Sequence, residues 1–368
     1  MRILTSIAIG ALALASIEAT LANEPVLVRG DGSYPTVPLA KDEIVLKVVQ
    51  NGVKNLQDYD DPRDGLAANL AIMQRFIDDA CSEGAKPDII LFNEFPLTGY
   101  SSGARDEKLK FTLTIPGPET TALGESARDC DTYLVFGSYA RDDDWPGHIL
   151  SINTVIDRNG DIAAKYWKTR NVKRLSKTTE IPTTTIENVR DRYRDMYGIE
   201  QEFPVLATEY GNIAVSTVQL DPFVYAAYGM RGVEIMLRTS TLFARDDVLA
   251  TARFNEFYSA MSNITFAEGS GYEKYGGGSL IVSPRGQVLA EDPSNNESII
   301  EAVIPIAEFR SGRKIPNYPI EVVRPVFDQY RQEIPLNHLD LPKAELPQTG
   351  EDMKALLDEQ SRYLNARQ

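Results

Sequence analysis

The chain has 368 residues, of which 43% are hydrophobic and 25% are charged, the proportions of a folded globular protein. Its 53 acidic residues exceed its 38 basic ones, and it has no long lysine or arginine run, which argues against binding to a nucleic-acid backbone. Two histidines and two cysteines without metal-ligand spacing leave almost nothing from which to build a zinc site. We therefore expect no metal, no other cofactor and no nucleic-acid partner.

The first 22 residues have the pattern of a secretory signal peptide. Arg2 supplies a positive charge, Ile3 to Ile17 form an apolar segment, and Thr20 to Ala22 end it with small residues. This apolar segment of about 15 residues is shorter than the ~20 that span a bilayer, and Glu18 follows it. We therefore expect residues 1–22 to be removed, and the mature chain to be secreted or periplasmic without membrane association.

Residues 23–42 read as an extended leader, and from residue 43 to 306 buried strands alternate with amphipathic helices. This alternation predicts one α/β domain. The predicted strands are 43–50, 88–92, 133–139, 152–157, 162–167, 205–208, 213–218, 233–237, 262–267, 279–282 and 299–304. The predicted helices of the domain are 66–81, 120–128, one that starts at Pro222, and 248–258.

Two segments lack this alternation. Residues 169–203 are polar and rich in threonine and arginine, which predicts a long excursion over the surface. From 307 to 368, proline-rich stretches precede a charged helix over 351–367. This C-terminal extension is too polar for a core of its own, so we expect it to wrap a neighbour or a second subunit.

The two cysteines, Cys81 and Cys130, each follow a predicted helix and precede a predicted strand. They have two interpretations: a disulfide, which an oxidising compartment allows, or two small buried hydrophobic residues. Geometry decides between these interpretations, and both stay open at this point.

Two polar residues follow predicted strands directly. Glu94 lies in Phe92-Asn-Glu-Phe-Pro-Leu-Thr-Gly-Tyr100, where restricted solvation suits a carboxylate to work as a general base. Lys168 follows the aromatic residues Tyr166 and Trp167, and a lysine held there is able to stabilise an oxyanion. The plainer interpretations are a loop or cap glutamate and a surface lysine.

The stretches around Glu94 and Lys168 resemble the nitrilase superfamily of carbon-nitrogen hydrolases. In that family a glutamate before Thr-Gly-Tyr is the general base, a lysine after an aromatic residue binds the oxyanion, and a cysteine is the nucleophile. The resemblance implies the first two roles for Glu94 and Lys168. It covers about residues 43 to 306 and implies an α/β fold, a four-layer α-β-β-α sandwich, that forms homo-oligomers. It continues through Asn153–Gly160, Arg231–Leu237, Ala252–Glu256, Asn263 and Gly278–Gly286.

The nucleophile motif departs from the family pattern. The stretch from Gly211 to Phe223 aligns with the family's strand and turn, and it places Val218 where the cysteine belongs. An alternative alignment on the following aspartate places Gln219 there instead. Strand alternation would put Ser216 on the same face as Val218 and turn Thr217 away, with Asp221 as a further auxiliary candidate.

The family's additional glutamate lies between the lysine and the cysteine. Residues 169–203 depart too far from the family to align, and we expect Glu180 to be its counterpart.

Without a thiolate the covalent route of the family is closed, because valine cannot attack carbon. In one interpretation Glu94 activates water directly against an amide, nitrile or carbamoyl compound while Lys168 stabilises the oxyanion. In a second the cavity catalyses a nucleophile-free proton transfer. In a third the chain is a pseudoenzyme that binds a small molecule or a protein partner.

A serine esterase is a further class, because Gly99-Tyr-Ser-Ser-Gly103 fits Gly-x-Ser-x-Gly and His338 lies downstream. That motif requires a strand, a sharp turn and a helix, and residues 104–110 give no clear buried helix.

Overall fold

The structure is a computed structural model that describes residues 31–101, 103–172, 181–241, 244–332 and 334–365. The predicted signal peptide and the first part of the leader lie outside the described residues. The strands are β1 (Ile44–Gln50), β2 (Ile89–Leu91), β3 (Leu113–Thr114), β4 (Tyr133–Arg141), β5 (Leu150–Ile156), β6 (Ile162–Trp167), β7 (Leu206–Thr208), β8 (Gly211–Ser216), β9 (Ile235–Ser240), β10 (Tyr258–Asn263), β11 (Ser279–Val282), β12 (Val288–Asp292) and β13 (Ser298–Ile304). The α-helices are α1 (Pro62–Ser82), α2 (Arg105–Leu109), α3 (Pro118–Cys130), α4 (Arg190–Tyr197), α5 (Pro222–Met230), α6 (Arg245–Asn255), α7 (Ile306–Gly312), α8 (Ile320–Phe327) and α9 (Gly350–Asn365).

The first sheet carries its strands in the order β13-β1-β2-β4-β5-β6, with β3 paired beside β4. β2 is parallel to β1 and to β4, whereas β5 runs antiparallel to both β4 and β6. β2 and β6 therefore point the same way and end at the same edge of the sheet. That edge receives Glu94 after β2 and Lys168 after β6, although the two residues are 74 positions apart.

The second sheet has the order β12-β11-β10-β9-β8-β7. Its three central strands, β8, β9 and β10, are parallel, and the outer strands pair antiparallel. β8 and β9 consequently also end at a common edge, and the residues that follow them, around Val218 and Thr241, lie side by side.

Alternation along β1 and β2 explains how the layers pack. Ile44 and Leu46 of β1 and Leu91 of β2 face the second sheet and join the core between the sheets, which includes Leu237. Ile90 and the residues on the opposite face pack against α1 and α3 instead. On the far side, α5 and α6 cover the second sheet with the side chains of Val224, Tyr228, Val248 and Ala252. The implied four-layer α-β-β-α sandwich is confirmed.

A disulfide joins Cys81 at the end of α1 to Cys130 at the end of α3, with 5.9 Å between the Cα atoms. The sequence left open whether the two cysteines form a disulfide or are small buried hydrophobic residues, and the structure shows the disulfide. It connects the two helices of one outer layer across a sequence separation of 49 residues.

Removing this bridge is expected to lower the free energy of unfolding by about 4 kcal/mol, because a loop of this length gains that much conformational entropy in the unfolded chain. The measurement is urea unfolding of the Cys81→Ala, Cys130→Ala double variant. The wild-type protein, reduced before the titration, is the control and should show the same loss. An unchanged urea midpoint in both would contradict the assignment.

The expected surface excursion over residues 169–203 is wrong for the part that the structure describes. Residues 181–202 contain a 3-10 helix, Ile186–Val189, and α4, and Ile181, Val189 and Tyr193 are buried. Some polar residues of this segment, such as Thr184 and Asn188, are buried as well, and the backbone N–H of Thr185 donates to Asn188 Oδ1 at 2.8 Å. The prediction was wrong because it took the polar composition of the segment as a sign of exposure.

Part of the C-terminal extension packs on its own domain, and the expected contact with a second subunit stays a prediction. Leu339, Met353 and Leu357 are buried in one apolar cluster with Trp145 and Tyr193. Backbone hydrogen bonds add to this packing, because the N–H groups of Asn337 and Leu339 donate to the carbonyls of Glu187 and Asn188, far away in the sequence. The extension thus borders the segment that carries Lys168. Among the described residues, no helix has the length and hydropathy needed to cross a membrane.

Candidate active site

A cavity of about 360 Å³ opens at the edge where strands of both sheets end. Glu94 and Lys168 reach it from the first sheet, and Val218 and Thr241 reach it from the second. The order and direction of the strands bring these four residues together from four separate parts of the chain. The sequence-predicted pair, Glu94 and Lys168, therefore lies in one cavity.

The Glu94 carboxylate is buried, and each of its oxygens has one hydrogen-bond partner among the residues that the structure describes. Lys168 Nζ donates to Oε1 at 3.2 Å, and the hydroxyl of Thr241 donates to Oε2 at 2.8 Å. Only 5% of the Glu94 residue is exposed. Two hydrogen bonds from opposite sides fix the orientation of the carboxylate, so its lone pairs face groups in the cavity.

The backbone of Glu94 is held by a close approach of β4. Gly137 N donates to the carbonyl of Asn93 at 3.1 Å, and a Cβ on Gly137 would lie only 2.3 Å from the Glu94 carbonyl oxygen. Asn93 itself is tied down, because its Nδ2 donates to Asn51 Oδ1 at 3.0 Å. Because Gly137 has no side chain, β4 can lie close to the backbone of Asn93 and Glu94 and fix the position of the Glu94 carboxylate.

Gly137→Ala is expected to cut turnover by about 10²-fold, because a shift of about 1 Å in a reacting group has an effect of that size. Overpacking should also lower the free energy of unfolding by about 1–3 kcal/mol. Steady-state kinetics and urea unfolding measure both. Gly124→Ala is the matched control, since its Cβ would meet the Gly160 carbonyl at 2.4 Å, outside the cavity lining. Equal losses of turnover in the two variants would contradict the role of Gly137.

Lys168 is held by aromatic packing behind it, as its sequence context predicts. Trp167, which ends β6, packs edge-on against Trp145 and Tyr193, each with ring centroids 5.3 Å away. The backbone of Lys168 is also fixed, with its N–H donating to the Ser151 carbonyl at 3.0 Å. The side chain is 12% exposed, so the ammonium has little freedom to leave the carboxylate.

Val218 lies in the cavity wall and is 2% exposed. Its carbonyl accepts hydrogen bonds from Tyr225 Oη and from Arg238 Nη2, the latter at 3.0 Å. Both cysteines of the chain are in the disulfide between α1 and α3. The cavity therefore contains no thiol, and Val218 presents methyl groups to it.

More cations than carboxylates line the cavity among the residues that the structure describes. Lys108 and Arg170 join Lys168, whereas Asp221 is the second carboxylate beside Glu94. Arg170 Nη1 donates to Asp221 Oδ2 at 2.8 Å, and Lys108 Nζ donates to the Ile181 carbonyl at 2.7 Å. Lys168 and Arg170 are thus each paired with a carboxylate of the cavity wall.

The comparisons with known proteins agree with this geometry. A family model described as carbon-nitrogen hydrolase matches residues 62–314. The chain belongs to the carbon-nitrogen hydrolase family. The predicted membership of the nitrilase superfamily is thereby confirmed.

Solved structures of this fold resemble the chain at low sequence identity. A double mutant of the amidase from Nesterenkonia sp. AN1 in complex with acrylamide is 18% identical, with a TM-score of 0.56 over 79% of this chain and 100% of the amidase. A mutant of the same amidase with butyramide is 18% identical, with a TM-score of 0.56 over 77% of this chain and 96% of the amidase. The C. elegans NitFhit protein is 17% identical, with a TM-score of 0.57 over 80% of this chain and 66% of NitFhit.

The auxiliary residues of the site differ in part from those predicted. β8 ends at Ser216, so strand alternation does not extend beyond it, and Thr217 lines the cavity together with Val218. Ser216 does not line it, and its hydroxyl instead accepts a hydrogen bond from Val218 N at 3.2 Å. The preference for Ser216 over Thr217 was therefore wrong.

Gln219 and Asp221 are both in the cavity wall, as predicted. Gln219 Nε2 donates to Ser240 Oγ at 2.9 Å, which fixes its amide against β9. Asp221 caps α5 by accepting from the backbone of Phe223 at 3.0 Å while it pairs with Arg170. Asp221 is therefore a structural cap at the rim of the cavity. Glu180, the predicted additional glutamate, lies outside the described residues.

The serine-esterase arrangement is not formed. His338 is buried, its Nδ1 lies 2.8 Å from the Pro335 carbonyl, and its Nε2 lies 3.4 Å from Asn188 Nδ2. Ser101 Oγ accepts from Gly103 N at 3.5 Å. Neither ring nitrogen of His338 contacts Ser101, so His338 does not activate this serine.

Thr241 is a site residue that the sequence pattern did not predict. It comes directly after β9, within the stretch that follows the Arg231–Leu237 match, and its hydroxyl contacts the Glu94 carboxylate. The sequence did contain a signal for Thr241. A residue with a hydroxyl group that follows a buried parallel strand lies at the same edge of the sheet as the residues after the neighbouring strand.

Proposed function

We propose that this protein hydrolyses a carbon-nitrogen bond of a small amide, nitrile or carbamoyl compound, with Glu94 as general base and Lys168 as oxyanion stabiliser. One observation carries the proposal: a buried carboxylate and an ammonium 3.2 Å apart face a cavity of about 360 Å³. A cavity of this volume suits a small molecule.

In this mechanism the substrate carbonyl lies beside the Lys168 ammonium. Glu94 removes the proton from an attacking oxygen nucleophile, which is water in the simplest case. The carbonyl π electrons move to oxygen, where Lys168 stabilises the negative charge. When the carbon-nitrogen bond breaks, Glu94 returns the proton to the leaving nitrogen.

Small primary amides are the first substrates to try. The similar amidase structures hold acrylamide and butyramide, and those ligands belong to that protein rather than to this one. Two polar atoms in the cavity wall support an amide ligand here: Thr217 Oγ1 and Asn171 Oδ1 are buried with no hydrogen-bond partner among the described residues. An amide offers both the donor and the acceptor that such atoms require.

Val218 favours a second function, which is binding without turnover. A chain that carries valine in place of the family nucleophile retains a cavity for a small molecule or a docking surface for a protein partner. In that case the Glu94–Lys168 pair would bind the polar group of a ligand.

The test is ammonia release by the purified mature protein from a panel of amides, nitriles and carbamoyl compounds. Release by the wild type that is lost in Glu94→Gln supports hydrolysis in this cavity. No release of ammonia from any compound of the panel would overturn the hydrolase proposal and favour binding without turnover. Thr154→Val, which removes a buried hydroxyl outside the cavity lining and leaves the Glu94–Lys168 pair in place, serves as the matched control.

We also propose that the protein works outside the cytoplasm, as a secreted or periplasmic homo-oligomer. The Cys81–Cys130 disulfide supports the compartment, because such bridges persist in oxidising surroundings. The N-terminal sequence of the protein isolated from its host tests the removal of residues 1–22. Light scattering on the purified protein tests the oligomer.

A further inference from the structure

The hydroxyl of Thr241 is placed as a nucleophile would be. Its Oγ1 donates to Glu94 Oε2 at 2.8 Å, and Glu94 Oε1 accepts from Lys168 Nζ at 3.2 Å. Thr241 is 5% exposed and lines the cavity. A hydroxyl within hydrogen-bond reach of a base, which a third group orients in turn, is the arrangement that activates an oxygen nucleophile.

The other candidates in the wall lack this arrangement. Val218 has no nucleophilic atom, and the Ser216 hydroxyl accepts from Val218 N outside the cavity lining. Thr217 lines the cavity, but its Oγ1 has no hydrogen-bond partner in the described part of the chain, so no base is in contact with it. Of these four hydroxyl or alkyl side chains, Thr241 alone touches Glu94.

Thr241 also comes from the right place in the fold. β8 and β9 are parallel neighbours, so the residues after Ser216 and those after Ser240 share one edge of the sheet. A nucleophile on Thr241 therefore reaches the same cavity as one at position 218, but from the adjacent strand. The methyl groups of Val218 then form an apolar wall beside it.

We propose that Thr241 is the nucleophile of this protein and replaces a thiol at position 218 with a hydroxyl on the neighbouring strand. The proposal rests on the proposed amide hydrolysis and names the group that attacks first. It places an ester of Thr241 on the path, which direct attack by water would not form.

Each step of this path balances in atoms and electrons. Thr241 Oγ1 bonds to the amide carbonyl carbon, its proton passes to Glu94 Oε2, and the carbonyl π pair moves to the oxygen beside Lys168. The carbonyl re-forms, the carbon-nitrogen bond breaks, and ammonia leaves with the proton from Glu94. Water then gives a proton to Glu94 and bonds to the ester carbon. Finally the bond to Thr241 breaks, Oγ1 takes the proton back, and a carboxylic acid leaves.

The first experiment looks for the ester. Wild-type protein is mixed with p-nitrophenyl acetate, quenched in acid and analysed by intact mass and peptide mapping. Thr241→Val and Thr154→Val are treated alike, because each replaces a buried threonine by its isostere and Thr154 lies outside the cavity lining. The expected result is one acetyl group on Thr241 in the wild type and in Thr154→Val, and none at position 241 in Thr241→Val.

The second experiment measures amide turnover in the same variants. Thr241→Val should lose about 10³-fold or more in kcat, and Thr241→Ser should stay within about 10-fold of the wild type, because removal of a nucleophile is costly and its conservative replacement is not. Thermal unfolding of Thr241→Val and Thr241→Ser shows whether each variant is folded.

The outcomes separate this inference from the function on which it rests. If Thr241→Val keeps its turnover while Glu94→Gln loses it, water attacks directly, the proposed function stands and the nucleophile assignment is wrong. If Thr241→Val loses turnover but no ester forms in the wild type, Thr241 only positions Glu94, and the assignment is again overturned. If the wild type releases no ammonia at all, the proposed function itself fails.

Discussion

Glu94→Gln is expected to lower kcat/KM for amide hydrolysis by about 10³-fold, because general acid-base catalysis contributes between about 10² and 10⁴. The amide of glutamine keeps the size of the side chain and still accepts from Lys168 or Thr241 through its oxygen. It cannot take up the proton of the attacking group. Steady-state kinetics of ammonia release with the best substrate of the panel measure the loss.

Glu187→Gln is the control for this prediction. Glu187 is also a mostly buried carboxylate near the cavity, 3.8 Å from Arg170, but it lines a neighbouring cavity of about 520 Å³ instead. Burial raises the pKa of the Glu187 carboxyl above its ordinary value. We expect Glu187→Gln to keep its turnover within about 10-fold. Equal losses in the two variants would contradict a specific role for Glu94.

Asp247→Asn is expected to lower the free energy of unfolding by about 3–5 kcal/mol, because it leaves a buried guanidinium without its counter-charge. Asp247 forms an ion pair with Arg238, and the side chains are 8% and 2% exposed. Arg238 in turn lies over the ring of Tyr225, with 4.3 Å between the guanidinium carbon and the ring centroid. Urea unfolding measures the loss.

The same pair supports the turn that carries Val218. Arg238 Nη2 donates to the Val218 carbonyl at 3.0 Å, and Leu220 N donates to Asp247 Oδ2 at 3.1 Å. Leu220 has a φ of 55°, in the left-handed region that a leucine rarely adopts, so its backbone needs such anchoring. We therefore expect kcat to fall together with stability in Asp247→Asn.

Asp246→Asn is the matched control for the Asp247 variant. Asp246 precedes Asp247 in the first turn of α6 and is exposed. Its replacement should change the free energy of unfolding by no more than about 0.5 kcal/mol. Similar losses of stability in the Asp246 and Asp247 variants would show that the charge at the start of α6 is responsible rather than the buried Arg238–Asp247 pair.

Much of the architecture was predictable from residue pattern. Runs such as Ile44–Gln50 are apolar on both faces, which is typical of a central strand between two layers. Pro62 after Asp61 marked the start of α1, and the Asp61 side chain does accept from Arg63 N at 3.0 Å. β3 and β12 were not predicted, since β3 has two residues and β12 carries the polar residues of an exposed edge.

The candidate site was predictable where a residue type and a strand end coincide, as at Glu94 and Lys168. The role of Thr241 depends on which strands are neighbours, and strand order is a long-range property that local pattern does not encode. The wrong preference for Ser216 over Thr217 as a cavity residue has a different cause. Strand alternation holds only while the strand lasts, and β8 ends two residues before Val218.

The local sequence pattern also did not predict that part of the C-terminal extension is buried. Its apolar residues, such as Leu339, Met353 and Leu357, are too widely spaced to indicate a core of their own. They become buried only because Trp145 and Tyr193 offer a surface from elsewhere in the chain. Packing of this kind is decided by partners that are distant in sequence.

At the centre of the proposed mechanism, Glu94 works with an oxygen nucleophile instead of a thiol. The most direct test is ammonia release from a primary amide by the wild type and by Glu94→Gln, each with and without excess N-ethylmaleimide. We expect release by the wild type that the thiol reagent leaves unchanged, and no release by Glu94→Gln. Inhibition of the wild type by N-ethylmaleimide, or equal release by the two proteins, would contradict this mechanism.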